Sequence, residues 1–173
     1  VEKTFEDVVI AGLFQPGNSP GIENFDSLTL LPGATTEIEI GGVTPGQNPD
    51  GYDQVNVSGH LILGGILDII LYNGFFPEAG DGFTIFTYGS VEGNFSQING
   101  LSLVGDCSFG LTQTGGTNSA GSITLLTAGT ECGDHSQQVG TSPDGNDNGD
   151  VTVNRGEPPR PGQIPEPGML AIF

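Results

Sequence analysis

Cys107, Cys132 and the run Asp144–Asp150 are the residues whose types and spacing point most directly to chemistry. The two cysteines flank a stretch that reads as a β-hairpin: Ser108–Thr114, a Gly/Thr/Asn/Ser turn over Gly115–Gly121, then Ser122–Thr127. Pairing those strands about a centre near Ser119 brings Cys107 and Cys132 close together. A disulfide closing that loop contributes about 3–4 kcal/mol by the chain-entropy argument. It implies an oxidising, secreted setting. Two free buried thiols are the alternative. The second pattern, Asp144-Gly145-Asn146-Asp147-Asn148-Gly149-Asp150, matches the first half of an EF-hand-type loop. Asp144, Asn146, Asn148 and Asp150 form its candidate Ca²⁺ set, and Gly149 supplies the turn. The closing bidentate Glu is replaced by Arg155, so a solvated acidic linker is the competing reading.

Catalytic machinery is not legible. The sequence has no Gly-x-Ser-x-Gly, no His-Glu-x-x-His, no phosphate loop and no Cys-x-x-Cys-His haem attachment. Glu37 and Glu39 share one face of an alternating strand, where acids usually serve solubility. No catalytic residues are assigned, and the chain reads as a non-enzyme.

The composition narrows the partners. The chain has 173 residues, with 3 Lys+Arg against 21 Asp+Glu and a formal net charge of −18. Charged residues are only 14% of the total, so the acidity comes from a near absence of bases. Nucleic acid and anionic lipid both demand a basic face and are excluded as partners. Thirty Gly and 12 Pro argue against long helices. The most apolar run, Leu61–Leu71, is interrupted by Gly64, Gly65 and Asp68 and falls short of the ~20 residues a membrane helix needs.

The elements that must position these residues are short strands. Candidates recur with Gly, Pro, Asn or Asp between them, among them Phe5–Ile10, Thr36–Ile40, Gln54–Ser58, His60–Leu63, Ile66–Tyr72, Phe83–Tyr88 and Leu101–Val104. Glu37-Ile38-Glu39-Ile40 alternates cleanly, while Ile66–Leu71 and Phe83–Tyr88 are apolar on both faces and are expected between layers. Phe25-Asp26-Ser27-Leu28-Thr29-Leu30 is echoed 27 residues later by Tyr52-Asp53-Gln54-Val55-Asn56-Val57. That echo, with strand–Gly–strand joints at Ser58-Gly59-His60 and Leu63-Gly64-Gly65-Ile66, points to an all-β, β-solenoid or β-helix-like fold with Gly-rich corners. A β-sandwich or jelly roll is the alternative. The expected organisation is an N-terminal strand and hinge over 1–20, a β-rich domain over 21–132, an acidic Pro/Gly-rich linker over 133–168, and a C-terminal segment over 164–173. The linker carries too few apolar residues to offset its ordering entropy and reads as an extended Pro-rich tail.

The C-terminal segment, Ile164-Pro165-Glu166-Pro167-Gly168 followed by Met169-Leu170-Ala171-Ile172-Phe173, resembles the start of a PEP-CTERM sorting signal. Pro165, Glu166 and Pro167 match its motif, while the membrane helix and basic cluster that complete it in that family are missing. Tyr52–Gly59, Leu63–Leu67, Gly74-Phe75-Phe76-Pro77 and Gly80–Ile85 look like a module of bacterial secreted proteins, found also near the ends of autotransporter passenger β-helices. The resemblance implies a secreted or cell-surface protein of a Gram-negative bacterium, touching membrane only through the missing anchor. It carries no catalytic residues.

The expected function is structural: a subunit of a cell-surface matrix or filament that assembles with itself or other matrix components by β-strand addition. Phe5, Val8, Val9 and Ile10 are the candidate assembly strand, either docking into a neighbouring subunit or starting the fold in cis. No cofactor is expected beyond Ca²⁺. An adhesin or carbohydrate-binding module is the alternative, with Phe75 and Phe76 as its exposed aromatic pair. A matrix polysaccharide-acting enzyme, using paired carboxylates, is the third reading.

Overall fold

The computed structural model describes residues 4–18 and 20–133. Among them the regular structure is entirely β. In chain order the strands are β1 (Thr4–Ile10), β2 (Leu13–Phe14), β3 (Ile22–Leu30), β4 (Thr35–Ile40), β5 (Thr44–Pro45), β6 (Gly51–Tyr52), β7 (Gln54–Leu63), β8 (Ile66–Leu71), β9 (Gly82–Gly93), β10 (Gln97–Asn99), β11 (Ser108–Gln113) and β12 (Gly121–Ala128).

They form two mixed sheets. The first has the order β1-β3-β7-β9-β12-β11, with β1, β3, β7 and β9 parallel and the β11–β12 hairpin antiparallel at the far side. The second has the order β10-β8-β4-β6-β5, with β2 also paired to β4, and the pairs β2–β4, β4–β8 and β8–β10 are parallel. The chain alternates between sheets, from β1 to β2, β3 to β4, β7 to β8 and β9 to β10. Each return lays a strand parallel to its predecessor.

Side chains stack in rows because of this register. Phe5, Phe25, Val57 and Tyr88 are successive partners across the first sheet, as are Val8, Leu28, Leu61 and Val91. In the second sheet Phe14, Thr36, Leu67 and Ile98 form one row. Both sheets supply one hydrophobic core, in which Leu28, Ile38, Ile40, Leu61, Leu67, Phe83 and Phe86 are fully buried. The alternation at Glu37–Ile40 works as its pattern predicts, with Ile38 and Ile40 inward.

Several boundaries differ from the sequence reading. Gln54–Ser58 and His60–Leu63 are one strand, β7. Ser58-Gly59 is therefore not a corner between strands. It holds an extra residue, and the register of β7 slips there against both β3 and β9. Backbones approach closely at that slip. A Cβ on Gly59 would stand 2.7 Å from the Asp26 carbonyl oxygen, and one on Gly89 would stand 2.5 Å from that of Ser58. Gly64-Gly65 does carry the chain from one sheet to the other, with Gly65 at φ +70°. The 27-residue echo is not the structural register, since Phe25 lies opposite Val57 and Tyr52 belongs to the second sheet. Leu101–Val104 forms no strand, only a bridge from Ser102 to Ser108. β8 buries Leu67 and Ile69 on one face and leaves Ile70 exposed, so it is not covered on both sides.

Candidate assembly edge

β1 and β11 are the two edges of the first sheet. β1 pairs with β3 in cis through Thr4↔Asn24 to Ile10↔Leu30. The candidate assembly strand is thus part of this fold and not a detached arm. Phe5, Val8 and Ile10 are half-buried, while Val9 is exposed. β2 pairs with β4 alone. Between these terminal strands lies a groove of about 410 Å³ lined by Phe5, Val8, Ile10, Leu13, Phe14 and Phe25, with Gln15 and Glu23 at its margin. Phe25 organises the groove: Phe5 stacks on it at 5.6 Å between ring centroids, and Phe14 meets it edge-on at 5.9 Å. Leu13, on β2, is 63% exposed. This end of the core is apolar and uncovered among the described residues.

The β11–β12 hairpin forms the opposite end of the first sheet. Cys107 and Cys132 are joined by a disulfide, with Cα atoms 5.0 Å apart. The bond grips the chain immediately before β11 and shortly after β12. Asp106 reinforces it by accepting hydrogen bonds from the Thr130 N–H at 3.0 Å, the Thr130 hydroxyl at 2.7 Å and the Glu131 N–H at 2.8 Å. These bonds hold the Asp106 carboxyl below its ordinary pKa. Phe109 turns inward to meet Phe83 edge-on at 5.8 Å.

The sequence reading missed Asp53, which is 1% exposed. Its Oδ1 accepts the Gly21 N–H at 2.7 Å and its Oδ2 accepts the Glu39 N–H at 2.8 Å. Burial pushes its pKa up to about 6, against the pull of those two amides, and the carboxylates of Glu39 and Glu23 push the same way. Nothing in a Tyr-Asp-Gln triplet signals this, because both partners lie far away in the sequence.

The other candidate residues are not gathered into a site. Phe76 is buried and Phe75 is half-buried, packing edge-on against Phe83 at 6.3 Å. They form no exposed aromatic pair, which removes the feature that favoured a glycan platform. Tyr52 and Tyr88 are buried as well. His60 stands on β7 with Nδ1 2.8 Å from the Ser90 hydroxyl and Nε2 3.9 Å from Glu92. Among the described residues no group of three or more His, Cys, Asp or Glu is arranged to hold a metal ion, and no helix is long and apolar enough to cross a membrane. The candidate Ca²⁺ residues Asp144, Asn146, Asn148 and Asp150 lie outside the described residues, as do Pro165, Glu166 and Pro167.

Charge completes the picture. No Lys or Arg occurs between Thr4 and Gly133, while 14 Asp and Glu do. No protein-family model matches the chain, and no curated protein matches it either.

Proposed function

We propose that this protein is a non-catalytic structural subunit of a bacterial cell-surface matrix or filament, folded as a short β-solenoid of four coils and joined to its neighbours by strand addition. The strand pairs β1–β2, β3–β4, β7–β8 and β9–β10 are the coils, and Gly64-Gly65 is one of their corners. The observation that carries the reading is the end of the stack at β1 and β2. There, among the described residues, β1 is the last strand of its sheet and pairs only with β3, and beside it lies an apolar groove lined by Phe5, Val8, Leu13 and Phe14. The disulfide and the match of Pro165-Glu166-Pro167 to a sorting motif favour a location outside the cytoplasm of a Gram-negative cell. β1 serves as an acceptor edge, because it is already seated in its own sheet.

Negative-stain electron microscopy and sedimentation velocity of the full chain, with and without Ca²⁺, test the proposal. Regular fibres or sheets are expected. Particles of monomer size at every concentration, in both conditions, would sink it.

A further inference from the structure

We infer that subunits join head to tail, with β1 of one copy adding in parallel to β11 of the next. This rests on the structural reading above and names the two edges that meet. In the first sheet β1, β3, β7 and β9 run one way, β12 runs back, and β11 runs forward again. β11 therefore points in the same direction as β1. A copy translated along the stack brings β1 beside β11 with no reversal.

Both edges have backbone to offer, β11 only beyond Phe109, because residues 101–103 already pair with its start. The Phe109 N–H leaves the sheet and donates to the Leu101 carbonyl at 2.7 Å, and the Cys107 carbonyl accepts the Leu103 N–H at 2.9 Å. Phe109 thus faces away from β12, and Leu111 and Gln113, two and four residues on, face the same way. On β1 the Ile10 carbonyl accepts the Leu31 N–H at 2.9 Å and so faces β3, which turns the Val9 amide group outward. Apolar surface is also present at both ends. Leu111 is the half-buried inner-face residue of the last strand, and the groove of Phe5, Val8, Ile10, Leu13 and Phe14 lies at the first.

Charge disfavours the symmetric contact of two β1 edges. β1 carries Glu6 and Asp7, and two β1 edges brought together would oppose carboxylates with no Lys or Arg in the described body to offset them. Ser108–Gln113 of β11 carries no charge. A contact between two different edges does not close on itself, so it propagates as a filament. Six strands at ~4.8 Å give an axial repeat of roughly 29 Å.

The test uses the full chain with Gln113→Pro and Val9→Pro, each removing an outward N–H that its own sheet does not use. Circular dichroism and melting temperature verify that each variant folds. Neither variant is expected to elongate alone, and their equimolar mixture is expected to sediment as a dimer through the one intact β1 and one intact β11. A second pair keeps every backbone N–H: Thr112→Asp should block assembly by facing Glu6 and Asp7, and Thr112→Lys should preserve it. Fibres from wild type and all four variants alike would overturn the inference and leave the structural reading standing. Dimers from Gln113→Pro alone, or from Val9→Pro alone, would show a symmetric contact, of β1 or of β11, and overturn it too. No assembly by wild type would overturn both.

Discussion

Asp53 and Glu39 are tied twice: the Asp53 N–H donates to the Glu39 carbonyl at 2.9 Å, and the Glu39 N–H donates back to Asp53 Oδ2 at 2.8 Å. The Gln54 N–H also donates to the Gly21 carbonyl at 2.9 Å, beside the bond from Gly21 to Asp53. One carboxyl thus joins β4, the approach to β3 and the entry to β7.

That carboxyl sets a pH dependence. Its folded pKa of about 6 lies above the ordinary 3.8. Below the unfolded value both states are protonated and nothing is lost. As pH rises from 3.8 towards 6 the unfolded chain gives up this proton while the buried group keeps it, and roughly 3 kcal/mol of stability has been lost by the time the buried group ionises too. Urea midpoints should therefore be higher at pH 4.5 than at pH 7.5. Asp53→Asn should flatten that difference, and at pH 4.5 it should cost about 1–3 kcal/mol, because one amide oxygen cannot accept both N–H groups. An unchanged pH profile in the variant would count against Asp53 as the source.

Thr36 offers a stabilising change. It is fully buried in the row of Phe14, Leu67 and Ile98, and among the described residues its hydroxyl has no hydrogen-bond partner. Thr36→Val keeps the shape and removes the unpaired polar atom. It should raise stability by about 1 kcal/mol, read as a higher urea midpoint with an unchanged slope.

Reducing the Cys107–Cys132 bond, or replacing both cysteines with Ser, should cost about 3–4 kcal/mol. Because the bond anchors the base of β11, the same treatment should weaken the assembly proposed through β11 before the body unfolds. Sedimentation and circular dichroism on one reduced sample separate the two effects.

Gly65 tests the corner. It combines φ +70° with a direction in which a Cβ would run into the Ala34 carbonyl oxygen. Gly65→Ala should destabilise by about 2 kcal/mol or more, whereas Ala at Gly74, also at positive φ but with open space around it, should cost less. Thermal melts of the two variants give the comparison.

The legible parts of the sequence were those with local causes. The hairpin between the cysteines shows as two β-prone runs around a Gly-rich turn, and the inward Ile38 and Ile40 show as strict alternation. Ser58-Gly59 misled because an extra residue inside a continuous strand has the same Gly signature as a turn. The register of Phe25 with Val57 was hidden by connections of unequal length, and the Tyr52 echo took its place. Asp53 was invisible because its burial depends on Gly21 and Glu39, which only the completed fold brings to it. β11 could be drawn as a strand, but its role as an edge required the sheet order.

A body without Lys or Arg has a consequence for anyone trying to detect this protein in a natural sample. Trypsin cuts after Lys and Arg, and from Thr4 the first such residue is Arg155. The described domain therefore leaves a digest as part of one very long peptide, far beyond what shotgun mass spectrometry sequences. Amine-reactive dyes and crosslinkers find no side-chain target on it either. The protein would be undercounted in a standard proteomic survey, and digestion at acidic residues would recover it.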